Sequence, residues 1–174
     1  MGQISVEITA SPGSLLSGNQ QIGASNGTRD MKSTDLRELQ REYNTKPTHE
    51  ITALSAKVGA ALNILAEVDQ VTSYRIIRKW IFVDLLLLIM EFQAGGRAID
   101  ITRFTIAYDG FEERRQQYTS APEPLLNARR RDAASNDRAL YDYIYAFRTE
   151  GARAANLQKR HKSLAKFFRR VDVR

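Results

Sequence analysis

Cysteine is absent from this chain, which excludes a disulfide framework and thiolate chemistry. Histidine is nearly absent. His49 and His161 are the only imidazoles, too few for a histidine-based metal or catalytic centre. The apolar run over residues 80–92 is too short to span a bilayer and is interrupted by Asp84, so no membrane partner is expected. Residues 1–28 lack both the basic start and the continuous apolar stretch of a secretory signal. Gly2 opens a segment approaching a myristoylation signal, but Val6 stands where Ser or Thr belongs. Gly95-Gly96 precedes no Lys-Ser/Thr step and is not a phosphate-binding loop. The carboxylates Glu91, Asp100 and Asp109 are scattered, with no pair suited to acid–base work. An enzyme is therefore not expected, nor a cofactor, nor a metal site.

What is present is a concentration of positive charge. Residues 151–174 hold eight basic side chains and a single acid, Asp172, a net charge of +7. The whole chain carries +6, so the first 150 residues are one charge negative. A near-neutral body with one strongly basic end points to a polyanionic partner, although a solvated basic helix has the same composition. The length suits one domain with a real core plus tails.

Three regions follow. Residues 1–32 read as a flexible N-terminal arm. Gly2, Gly13, Gly18, Gly23 and Gly27 lie there, and the sparse apolar residues Ile4, Val6, Ile8, Leu15, Leu16 and Ile22 could order it only against a neighbour. Residues 33–150 read as an all-α, single helical-bundle core. Ser33-Thr34-Asp35 offers capping chemistry for a helix through Tyr43, and the 44–47 segment breaks it. Thr48 is expected to cap a second helix with Ile51, Leu54, Val58, Leu62, Leu65 and Val68 at helical spacing. Thr72 or Ser73 is expected to open a third, apolar nearly all round, which Gly95-Gly96 stops. A fourth begins at Ile101 and runs towards Tyr118. After a proline-bounded loop over 120–124, Ser135-Asn136-Asp137 is expected to cap a last long helix, interrupted near 149–151. Residues 151–174 read as a basic C-terminal tail. Nothing reads as a strand.

Several charged groups ask for partners. Asp84 lies among Phe82, Val83, Leu85 and Leu86, where a lone carboxylate is costly. Arg78 or Lys79 could pair with it. Asp142 lies between Tyr141 and Tyr143, and Arg103 or Arg138 could pair with it. Glu112-Glu113-Arg114-Arg115 reads as a solvated face or an intersubunit ion pair, and Arg129-Arg130-Arg131 as helix surface or a phosphate contact.

Four segments stand in a fixed order: residues 47–54 (PTHEITAL), 82–92 (FVDLLLLIMEF), 101–108 (ITRFTIAY) and 138–143 (RALYDY). Their order and spacing resemble the coat proteins of flexible filamentous plant viruses, of the potexvirus and potyvirus type. Phe82, Asp84, Leu85 and Glu91 match that family's Phe-x-Asp-Leu helix and its further acid. Ile101, Phe104 and Tyr108 match the next stretch, and Pro122 the loop. Tyr141-Asp142-Tyr143, with Arg138 four residues before the Asp and Arg153-Ala154 eleven after it, matches the last element. Pro47, Glu50, Ile51 and Thr52 match the pattern upstream. The family's RNA pocket is built from a Ser, an Arg and an Asp. Asp142 fits the Asp and Arg103 lies one position from the Arg, whereas no Ser occurs at residues 94–96.

The resemblance implies a subunit that polymerises helically around single-stranded genomic RNA, joined to its own copies through the N-terminal arm. It implies residence in the virion and the host cell cytoplasm. The RNA-binding residues expected are Arg103, Asp142, Arg138, Tyr143, Arg153, Lys159 and Arg160. The alternative is a small helical nucleic-acid-binding regulator or adaptor with a basic tail.

Overall fold

The computed structural model describes residues 33–127, 131–149 and 153–169. Among these, the helices are α1 Ser33–Asn44, α2 Thr48–Val71, α3 Lys79–Ala94, α4 Ile101–Tyr118, α5 Arg131–Arg148 and α6 Ala154–Phe167, with a 3₁₀ turn at Glu123–Asn127. No strand occurs among the described residues, and the all-α expectation holds. The expected arm over residues 1–32 lies outside the described residues, as do Arg129, Arg130, Glu150 and residues 170–174.

Local chemistry moves some helix boundaries from where the sequence suggests. Pro47, with φ −58° and ψ 140°, occupies the cap of α2, and Thr48 is its first helical residue. The Pro47 carbonyl accepts from the Glu50 and Ile51 amides at 3.0 and 3.4 Å. Proline suits that place, since its fixed φ matches and it has no N–H to leave unsatisfied. The third helix does not begin at Thr72 or Ser73 but at Lys79. Two carboxylates compete for the intervening backbone. Asp109 accepts from the Thr72 hydroxyl and, at 3.1 and 3.2 Å, from the Ser73 amide. Asp69 accepts from the Ile76 amide at 2.7 Å. Thr72 Oγ1 takes the Tyr74 amide at 3.0 Å, so its capping chemistry serves the linker instead of a helix. Likewise α5 starts at Arg131, and Ser135-Asn136-Asp137 lies inside it, where Asp137 meets Arg114 of α4 instead of capping.

Other boundaries fall where the sequence places them. After α3, the Gly96 amide donates to Gln93 and the Arg97 amide to Phe92, at 3.1 and 2.9 Å. This double closure needs a left-handed residue, and Gly96 has φ +68°. Asp100 caps α4 by accepting from the Arg103 amide at 3.0 Å.

Nine of the sixteen residues of α3 are buried, more than one helical face can supply, so neighbours surround it. Helix α2 packs on α3 and α4, and α6 packs on α3 and α5. The basic segment expected to hang from this core forms part of it over α6. Leu157, Leu164 and Phe168 are buried. Phe168 meets Phe104 with ring centres 4.6 Å apart, and Phe167 meets Phe111 at 5.3 Å. Each such apolar burial is worth about 1.5–3 kcal/mol.

Candidate nucleic-acid interface

A polar node lies at the centre of the bundle. Asp84, on α3, is 1 % exposed, and Arg160, on α6, is fully buried. Arg160 donates through Nε to Oδ2 at 2.8 Å and through Nη2 to Oδ1 at 3.1 Å. Tyr143 of α5 donates its hydroxyl to Oδ2 at 2.8 Å. The rings of Trp80 and Phe147 lie 5.6 and 5.5 Å from the guanidinium. Burial pushes the Asp84 carboxyl above its ordinary value, and the donors Arg160 and Tyr143 oppose that rise. The Tyr143 hydroxyl is pushed well up, first by burial and then by the charge of Asp84. Two turns along α3, Glu91 meets His161 Nε2 at 2.6 Å, while His161 Nδ1 is buried without a partner among the described residues. The partner of Asp84 is thus Arg160, 76 residues away, instead of Arg78 or Lys79.

The seven residues expected at RNA therefore divide. Tyr143 and Arg160 meet on Asp84 and point into the core. Arg138 and Asp142 form a half-exposed pair one helical turn apart, at 3.1 Å. Of the two arginines that could pair with Asp142, Arg138 does so, while Arg103 meets Asp100 at 3.4 Å. Arg153 and Lys159 are exposed, Arg153 at the cap of α6. Lys159, Lys162 and Lys166 recur three and four residues apart on α6, all exposed and opposite the buried Leu157, Arg160 and Leu164. This stripe of cations can meet a row of phosphates.

A second feature was not singled out in the sequence. A cleft of about 490 Å³ opens between the linker 72–78 and the C-terminal half of α4. Arg75 and Arg78 stand on its linker side and Arg115 on its helical side. Arg115 is buried in a two-pronged pair with Glu112, at 2.7 and 2.6 Å, which corrects the expectation of a solvated face there. The Glu112 pair holds the Arg115 guanidinium above its ordinary value. Arg75 reaches Asp69 at 2.8 Å. The Arg78 side chain has no ion pair among the described residues. The only sequence signal for this cleft was the pair of arginines three apart, in a segment that reads as helix.

Among the described residues no group of three His, Asp or Glu side chains could hold a metal. The chain matches no family model, no curated protein and no solved structure.

Proposed function

We propose that this chain is the coat subunit of a flexible filamentous RNA virus, polymerising helically around single-stranded RNA and acting without catalysis. The observation that carries the reading is α2. It spans 24 residues, yet only 17 % of its most apolar window is buried within the subunit. Ile51 on α2, Ile77 on the linker and Ile106 on α4 add exposed apolar surface, Ile77 being 85 % exposed. Apolar surface of this extent calls for a cover. A neighbouring copy supplies one, and a contact that does not close on itself propagates into a helix. The four ordered segments and the Lys159–Lys162–Lys166 stripe support the same reading. RNA would be held by cations on phosphates with little sequence preference.

Negative-stain microscopy of the purified protein with and without single-stranded RNA tests it. RNA-dependent flexible filaments are expected. Removing residues 1–28 should leave a helical monomer that no longer forms long filaments, because the arm would supply the contact between copies. By length and composition α2 could also cross a bilayer. Flotation of the RNA-free protein with phosphatidylcholine vesicles, and no filaments with RNA, would favour that reading instead.

A further inference from the structure

We propose that the cleft between the linker 72–78 and α4 seats one ribonucleotide unit of the bound strand, with its phosphate on Arg75 and Arg78. The inference rests on the RNA-binding reading above and adds a site to it.

The chemistry of the walls selects the ligand. Three guanidinium groups and one carboxylate line the cleft, so it favours an anion. The carboxylate, Glu112, is committed to Arg115, which leaves Arg78 to face an incoming charge, with Arg75 beside it held by Asp69 at 2.8 Å. Arg78 has no competing carboxylate among the described residues. Guanidinium forks match phosphate oxygens in pairs, which a carboxylate-lined or purely apolar cleft could not do. The volume of about 490 Å³ lies within the range of small-ligand sites, about 300–1,000 Å³. Gln116 and Ser120 bring donors and acceptors to the helical side, suited to a base or ribose edge.

The linker itself supplies the second argument. Seven residues between two long helices are held away from helix by Asp69 and Asp109, which bind the Ile76 and Ser73 amides. That tethering fixes the backbone on either side of Arg75, so the arginine is placed before the ligand arrives. Irregular segments anchored on a rigid scaffold are where binding residues concentrate.

Fluorescence anisotropy with a labelled 15-nucleotide oligouridylate, read across a salt series, tests the assignment on the full chain. The variant Arg75→Gln/Arg78→Gln is compared with Lys162→Gln/Lys166→Gln and with the unaltered protein. The cleft variant should keep its melting temperature, lose about tenfold or more in affinity and reduce the salt slope by about 0.7, one phosphate contact on a single strand. Arg75→Lys/Arg78→Lys should recover part of the loss. Affinity and slope equal to those of the unaltered protein would overturn the site while leaving the RNA-binding reading intact. No binding by the unaltered protein at low salt would remove that reading and the site with it. Uridine monophosphate at millimolar concentration competing for a protein that ignores the oligonucleotide would make the ligand a free nucleotide and overturn the assignment to a strand. Shorter filaments at unchanged RNA affinity would identify the cleft as a contact between copies and overturn it as well.

Discussion

Asp84 sits among leucines, and what keeps a carboxylate there is the set of donors from two other helices. Removing one member leaves another charge buried and unpaired. Arg160→Gln should therefore cost about 3–5 kcal/mol in urea denaturation, and Tyr143→Phe about 1.5–3. The double variant Asp84→Leu/Arg160→Met should recover much of the loss, since well-packed apolar groups replace buried pairs at little cost. Lys159→Gln, Lys162→Gln and Lys166→Gln are exposed and should leave stability within about 0.5 kcal/mol. Asp142→Asn breaks a half-exposed pair worth about 0.3–0.5 kcal/mol, so any large loss of RNA-containing filaments in that variant would report a contact beyond Arg138.

Tyrosine titration gives a second test at this scale. Burial pushes both Tyr143 and Tyr108 above the ordinary value of 10.0, so the folded state keeps their protons longer than the unfolded state does. That contribution is complete below pH 10 and is lost as pH rises through the folded-state values. Stability should fall from about pH 10 upward, and Tyr143→Phe should flatten that fall. By absorbance, Tyr108 and Tyr143 should ionise only with unfolding. The roles of Tyr143 and Arg160 were not legible in the sequence. The sequence shows a carboxylate in need of a partner, but one that lies 76 residues away is fixed only by packing.

Among the elements, the most legible were those whose signals were local. Helix α4 starts and stops where its apolar residues and Tyr118 suggest, and Gly95-Gly96 ends α3. Gly96 holds a positive φ with nothing within 4 Å of an added Cβ, so Gly96→Ala should cost about 1 kcal/mol through the backbone alone. Gly110, inside α4 and equally unobstructed at ordinary φ, should behave oppositely, with Ala stabilising by about 0.5–1 kcal/mol. Urea midpoints of the two variants make the comparison. Less legible were segments whose capping residues were already engaged elsewhere. Thr72 and Ser73 look like a helix start, yet Asp109, 37 residues beyond Thr72, claims them for the linker. Asp109→Asn should weaken these bonds and speed hydrogen exchange at Ser73 while the α3 core amides stay protected. In α6 the charges drew attention, whereas Leu157, Leu164 and Phe168 at helical spacing were the signal that this segment is core.

The molecule as a whole combines a well-buried centre on α3 with a long helix, α2, left largely open. A well-buried interior beside an open apolar helix is the arrangement that the proposed polymerising coat would use. The cationic stripe of α6 and the arginines of the linker would then share the strand, with the node at Asp84 holding α6 in place. The most direct test is nuclease protection of single-stranded RNA titrated with the purified protein. Protection should rise in proportion to protein, reach a plateau at a fixed number of nucleotides per subunit and coincide with flexible filaments. Binding that saturates while the RNA stays fully digestible, with the protein still monomeric or dimeric, would contradict the account.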